Sequence, residues 1–275
     1  MTGPFVLAHL SDPHVDGTPE RADRLRRTLA HATAGRRPAD VVVLTGDVAD
    51  TGQPDQYAEA ARLLAASPVP VLVVPGNHDD RRAFTAGLLP GTRTGAGTGE
   101  TTEAPGPWHR VERVAGATFL LLDSTVPGSD GGRLGPDSLR WLAEALDRAD
   151  AGNPGSRVFV VLHHPPVALG NPSLDAIALV DAGPFAELLA GRPGVVAVLA
   201  GHAHTAAVTR VGDVPLLLAP GIASTFRLPW EPAPTGRTPG EPGGGATVDR
   251  QAPPGFAFHV LDGAGRLSTF VRSVA

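Results

Sequence analysis

Five apolar runs in this chain stop at the same kind of place. FVLAHL (5–10) leads into Ser11-Asp12-Pro13-His14, VVVLT (41–45) into Gly46-Asp47, and VPVLVV (69–74) into Pro75-Gly76-Asn77-His78-Asp79-Asp80. RVFVVLHH (157–164) closes on His163-His164-Pro165-Pro166, and VVAVLA (195–200) on Gly201-His202-Ala203-His204. Short continuous apolar runs bounded by turn residues read as strands buried on both faces. In α/β sheets, ligands bind at the carboxyl ends of the strands. Five strands that each carry carboxylate, amide or imidazole groups at that end constrain the fold and its chemistry together.

Helical patterns separate the first three runs. Residues 20–34 place Leu25, Leu29 and Ala32 on one face, and 54–67 place Tyr57, Ala61 and Leu64 on another, with Pro54 in the first turn. This β-α-β-α-β start implies a parallel sheet. Further along, 117–123 reads as a strand and 135–150 as a helix with Leu139, Leu142 and Leu146 inward. Residues 174–190 read as mostly helical around Gly183-Pro184. AAVTRV, VPLLLAP, FAFHVLD and RLSTFVRS then read as strands joined by short turns, so the second half is richer in antiparallel pairing. Two packed sheets covered by helices would bury this many strands in one domain over 1–275. Two Gly-, Pro- and Thr-rich segments, 87–107 and 229–255, are expected to be long loops.

Composition removes several chemistries. There is no cysteine, so thiolate metal sites and a cysteine nucleophile are excluded. There is no lysine either; all 23 basic residues are arginine, which excludes a phosphate-loop lysine and a Schiff base. The formal net charge is −5 and no basic run exceeds two residues, which argues against a nucleic-acid duplex as partner. No apolar stretch reaches the ~20 residues of a membrane helix. The start MTGPFVLAHLSD lacks the basic region and long apolar core of a signal peptide, so a cytoplasmic protein is expected.

Taken singly, the tips say little. Gly-Asp is common turn chemistry, and Asp-x-His fits a capped turn. The Gly-His-Ala-His segment is more telling, because alternating histidines on an extended segment point to the same side. In series, five such tips read as a metal site. They also resemble a known family. Asp12-Pro-His14, Gly-Asp47, Gly-Asn77-His78-Asp79, His163-His-Pro-Pro and Gly-His202-Ala-His204 resemble, in order, the motifs of the calcineurin-like metallophosphoesterase superfamily. Within it, the short chain, the His-His-Pro-Pro motif and Pro-Gly-Phe at 254–256 look most like the small bacterial class III cyclic nucleotide and glycerophosphodiester phosphodiesterases.

The resemblance implies an α/β fold, a four-layer α-β-β-α sandwich of two mixed sheets flanked by helices. It also implies two metal ions. Asp12, His14 and His204 would hold one, Asn77, His163 and His202 the other, and Asp47 would bridge both. His163 rather than His164 is expected as the ligand because the family pattern is His-x-Pro. His78 would stand above the pair as the catalytic residue, with Asn77, His78 and Arg81 near the substrate. Pro13 stands where family members often carry Thr, Leu or Ile; it lies between two expected ligands. Mixed imidazole, carboxylate and amide oxygen donors suit Mn, Fe, Co or Zn rather than Ca. Such a pair clamps a phosphate and lowers the pKa of a water, and a histidine above it can protonate a leaving oxygen.

The expected substrate is a small phosphodiester, a 3′,5′-cyclic nucleotide such as cAMP or a glycerophosphodiester. A phosphomonoesterase or nucleotidase on the same fold is the alternative. A non-catalytic scaffold is disfavoured because every expected ligand position is intact. Monomer and homodimer both stay open. Arg81 and Arg82 are expected either to reach a phosphate or to pair with Asp79 or Asp80. Ser124 follows a strand, but no His-Asp arrangement accompanies it, so a serine nucleophile is not expected. His9, His31, His109 and His259 read as structural or surface residues. Trp108 and Trp230 flank the long loops as anchors or a stacking surface.

Overall fold

The structure is a computed structural model that describes residues 3–89, 106–152, 157–231 and 248–275. Strands β1 (Phe5–Leu10), β2 (Val41–Thr45) and β3 (Val71–Val74) alternate with helices α1 (Pro19–Thr33) and α2 (Pro54–Leu64). Helix α3 (Arg81–Leu88) follows, then β4 (His109–Val114), β5 (Ala117–Leu122), α4 (Gly135–Gly152) and β6 (Val158–Val161). Next come α5 (Pro172–Asp175), α6 (Ala182–Leu189), β7 (Val195–Ala200), β8 (Ala207–Val211) and β9 (Val214–Leu218). A short hairpin, β10 (Thr225–Phe226) and β11 (Val248–Asp249), precedes β12 (Gly255–Leu261) and β13 (Leu267–Ser273).

Two mixed sheets carry the fold. The first has the order β13-β12-β1-β2-β3 and the second β4-β5-β6-β7-β9-β8. In the first, β1, β2 and β3 are parallel, with β12 and β13 antiparallel beside them. In the second, β5, β6, β7 and β9 are parallel, flanked by antiparallel β4 and β8.

Strand alternation sorts the apolar residues into three cores. Leu7, Val41, Val43 and Val74 face Phe119, Phe159, Val161 and Leu199 between the sheets. Ala8, Leu10, Val42 and Leu44 point the other way, onto Leu25 and Leu29 of α1, Tyr57 and Ala60 of α2 and Phe84 of α3. Leu120, Val160 and Val198 meet Leu142 and Leu146 of α4 and Phe185 and Leu189 of α6. The result is the four-layer α-β-β-α sandwich.

Several details differ from the sequence expectations. The buried face of α2 runs through Ala60 and Leu63, while Ala61 is half-buried. Gly183-Pro184 lies in the first turn of α6, so 174–190 holds two short helices rather than one. Helix α3 and strand β4 were not expected. Asp80 starts α3 by accepting the amide of Ala83 at 2.8 Å. Strand β11 falls inside the expected 229–255 loop and pairs with β10. Most of the two expected loops, residues 90–105 and 232–247, lies outside the described residues.

Candidate metal centre

The tips of β1, β2, β3, β6 and β7 meet at one point, because these parallel strands end at the same edge of the packed sheets. The backbone there is unusual. Asp12, His14, Asp47, His202 and His204 all have positive φ, between 44° and 67°. Among the described non-glycine residues only Ala115 shares this. Left-handed conformations at non-glycine residues cost of order 1–3 kcal/mol each and persist where surrounding bonds fix them. Here the amides of Asp12 and His14 donate to the carbonyls of Gly46 and Asp47, at 3.2 and 3.0 Å. The carbonyls of Asp12 and His204 accept from Ala223 and Gly221, both at 3.0 Å. The Gly-His-Ala-His segment is therefore not extended, as period-two reasoning assumed. His202 and His204 each adopt a left-handed conformation, with Ala203 between them.

Asp47 sits at the centre. Its Oδ2 lies 3.4 Å from His14 Nε2, and its Oδ1 lies 3.5 Å from His163 Nε2. On the His14 side, His204 Nε2 is 3.2 Å from His14 Nε2 and 3.3 Å from Asp12 Oδ1. On the His163 side, Asn77 Oδ1 is 3.1 Å and His202 Nδ1 is 3.2 Å from His163 Nε2. The seven expected ligands thus form two groups that share one carboxylate. Gly76 permits this closeness, since a Cβ there would collide with Asp47 Oδ1.

The outer nitrogens of the rings are held from behind. His14 Nδ1 donates to Asp50 Oδ1 at 3.0 Å, and His163 Nδ1 donates to the Thr45 carbonyl at 2.7 Å. His204 Nδ1 lies 2.8 Å from Ser224 Oγ. A carboxylate and a carbonyl only accept, so neutral His14 and His163 present Nε2 lone pairs inward. Asp50, Thr45 and Ser224 were not anticipated. Their only sequence signal is closeness to the β2 tip and to Gly221, and their bonds span 20 to 118 residues.

Charge is concentrated on both sides of Asp47. Burial disfavours ionisation of Asp47, yet the charge and hydrogen bond of His163, with His14, hold it well below the usual carboxylate range. Burial works against the imidazolium of His163 as well, but Asp47 prevails and pushes it up to about 9. His14 is likewise raised against its burial by Asp50, Asp47 and Asp12. His202 and His204 are pushed down, first by burial. The acidic centre therefore favours the protonated form of one histidine on each side.

Orphaned atoms test whether a metal pair fits. Both carboxylate oxygens of Asp12 and the Nε2 of His202 are buried without a hydrogen-bond partner. A buried carboxylate without a hydrogen bond is costly, and cations among these oxygen and imidazole donors would satisfy it. The residues fit a pair of metal ions.

Other expected residues go elsewhere. Asp79 pairs with neither arginine. It accepts from the amides of Val48, Ala49 and Gly76 and from the hydroxyl of Tyr57, at 2.9–3.1 Å, and so clasps the β2 and β3 tips. Burial and the nearby charge of Asp47 push its carboxyl up to about 6. Arg81 turns to Asp123, with Nε 2.7 Å from Oδ2, and to the Thr125 carbonyl at 2.5 Å. Ser124 Oγ lies 2.8 Å from His164 Nδ1, but no carboxylate stands behind that histidine. Both are fully buried, and His164 Nε2 meets the Asp130 carbonyl rather than a carboxylate. The His164 ring stands edge-on to His163 and tilted against His202, at centroid distances of 4.9 and 4.8 Å. His9 and His259 are buried, His109 packs on Trp141 and His31 is exposed. Trp108 anchors against Phe84, while Trp230 is exposed.

Comparison with known proteins agrees with this geometry. The calcineurin-like phosphoesterase sequence profile matches residues 5–206. The glycerophosphodiester phosphodiesterase GpdQ of Enterobacter lignolyticus is 28% identical over 237 residues, covering 82% of this chain and 80% of that protein. A cAMP/cGMP dual specificity phosphodiesterase of Mycobacterium tuberculosis is 32% identical, covering 82% and 69%. The 3′,5′-cyclic adenosine monophosphate phosphodiesterase CpdA of Pseudomonas aeruginosa is 29% identical, covering 98% and 90%. A dimetal phosphatase from Danio rerio shares the fold over 100% of both chains, with a TM-score of 0.63 and 16% identity. With its five strand tips gathered around Asp47 and the profile spanning all of them, the chain belongs to the calcineurin-like phosphoesterase family.

Proposed function

We propose that this protein is a binuclear-metal phosphodiesterase acting on a small diester, a 3′,5′-cyclic nucleotide or a glycerophosphodiester. The observation that carries the reading is the division of Asp47, whose two oxygens face two separate groups of metal-type donors. Asp12, His14 and His204 would hold one ion, and Asn77, His163 and His202 the other. When bound, the ions supply Lewis acidity toward the phosphoryl oxygens and an activated water. Mn, Fe, Zn and Co all suit the donor set.

The chain's own residues do the rest. His78 is exposed, and its ring stands edge-on to His14 at 4.6 Å. Its Nδ1 donates to the Asp50 carbonyl, leaving Nε2 to carry a proton toward the leaving oxygen. The Asp47 oxygen that faces His163 also accepts the His78 amide at 2.9 Å, so the β3 tip is tied to the shared carboxylate. Asn77 and His78 would border the substrate.

Charge favours a diester. Two divalent ions less Asp12, Asp47 and one hydroxide leave one positive charge, which a singly charged diester neutralises. A monoester near pH 7 carries about −1.5 to −2 and calls for a further cation. Arg81 and Arg227 are committed to Asp123 and Asp249 instead. The relatives named as cyclic nucleotide and glycerophosphodiester phosphodiesterases support the same substrate class. A hydrolysis screen of both classes and of monoesters, with Mn²⁺ and with chelator, tests it. Mn²⁺-dependent turnover of a diester is expected; turnover of monoesters alone overturns it.

A further inference from the structure

The core between the two sheets is apolar, and one polar row crosses it. Alternation along the strands puts Thr269 of β13, His259 of β12, His9 of β1 and Thr45 of β2 on the same face as Leu7, Val43, Leu261 and Leu267. Thr269 Oγ1 lies 3.0 Å from His259 Nδ1, and His259 Nε2 lies 3.0 Å from His9 Nδ1. His9 Nε2 lies 3.0 Å from Thr45 Oγ1, which is 2.8 Å from Ser11 Oγ. Ser11 Oγ donates to the Thr45 carbonyl at 3.2 Å, the same oxygen that accepts His163 Nδ1 at 2.7 Å.

That carbonyl orients the Ser11 end of the row. It can only accept, so the Ser11 proton points to it, and the Thr45 hydroxyl donates to Ser11 Oγ at 2.8 Å with the Leu10 carbonyl as a second acceptor at 3.3 Å. Thr45 Oγ1 then accepts from His9 Nε2–H, His9 Nδ1 from His259 Nε2–H, and His259 Nδ1 from the Thr269 hydroxyl. Every ring nitrogen in the row is then paired, with both imidazoles neutral. Burial keeps them so, pushing His259 down to about 3 and His9 well below its usual value.

Stability alone does not account for this row. Apolar residues of similar shape in place of paired buried polar groups are often neutral or stabilising. The row does end at a residue of the metal site. The packing there is tight, since a Cβ on Gly201 would collide with Ser11 Oγ and lie 2.6 Å from the Thr45 carbonyl. A shift of Ser11 or Thr45 is therefore transmitted to the β7 tip.

We propose that His259 and His9 are positioning residues for His163, acting through Ser11 and Thr45. The row holds the carbonyl that fixes His163 Nδ1–H and so aims Nε2 at Asp47 and Asn77. This rests on the metal reading above. The test is calorimetric titration of the metal-free full chain with Mn²⁺, for wild type, His259→Phe, Thr45→Val and His259→Gln. Wild type is expected to take two ions. In His259→Phe and Thr45→Val one affinity falls roughly 10–100-fold, the usual effect of losing an outer-shell partner, while the other is unchanged. His259→Gln keeps a donor toward His9 Nδ1 and is expected to recover most of the loss. If His259→Phe does not fold, Thr45→Val decides. Wild-type affinity at both sites in a folded variant, or equal weakening of both, overturns the proposal. A wild-type chain that fails to take two ions overturns the metal reading itself, and the positioning role with it.

Discussion

The Nδ1 atom of His78 lies 2.7 Å from the backbone carbonyl oxygen of Asp50. A carbonyl cannot donate, so this nitrogen keeps its proton in either charge state of the ring. The side chain of the same Asp50 holds His14 Nδ1 at 3.0 Å. One residue thus orients both the proposed acid and a proposed ligand, and Nε2 of His78 is the nitrogen left to exchange protons.

His78→Ala is expected to keep its metal content and to lose roughly 10²–10⁴ in turnover on a diester with a poor leaving group. The loss should shrink with nitrophenolate, which needs little protonation to depart. Measuring kcat on both substrates decides it. Equal losses would assign His78 to phosphate binding rather than to proton transfer.

Asp47→Ala should lower the occupancy of both ions and abolish turnover, because each of its oxygens faces a separate donor group. Metal analysis of the purified variant is the measurement. Retention of one ion at full occupancy would show that Asp47 serves a single site.

The strands that carry the site were legible because burial on both faces leaves a continuous apolar signature, as in Val41–Thr45 and Val195–Ala200. Helix α3 and strand β4 were not. The first is eight residues with Phe84 its one buried residue, and the second is an edge strand with no buried residue. The seven expected ligands are all brought together, since tip residues follow directly from strand ends. What surrounds them was invisible. Asp79, Arg81 and Ser124 are fixed by partners up to 44 residues away, which no local pattern reports. The left-handed backbone at His202 and His204 also escaped, because period two presumes extension.

Tyr57→Phe is expected to destabilise the protein by about 1 kcal/mol and to reduce turnover. The hydroxyl donates to Asp79 at 3.0 Å and accepts the amide of Asp80 at 2.9 Å, joining α2 to the β3 tip. Urea unfolding midpoints and kcat check this. An unchanged midpoint would show that the Asp79 clasp does not need the hydroxyl.

Metal binding should tighten as pH rises from about 6.5 to 9. The folded metal-free chain raises His163 above its ordinary 6.5, to about 9. The contribution of that proton to metal-free stability is therefore full below the ordinary value and is lost as pH rises through the folded one. Metal ions compete for the same nitrogen, so uptake near neutrality releases protons. Mn²⁺ titrations in buffers of different protonation enthalpy measure the release. Binding that is pH-independent and proton-neutral would contradict it.

The most direct measurement is kcat/KM for a nitrophenyl phosphodiester against the matching monoester, on the full chain with saturating Mn²⁺ near neutral pH. With Arg81 and Arg227 paired away at Asp123 and Asp249, the diester is expected to be the better substrate, and chelation to abolish both activities. A monoester advantage of about tenfold or more, or turnover that survives chelation, would contradict the binuclear phosphodiesterase.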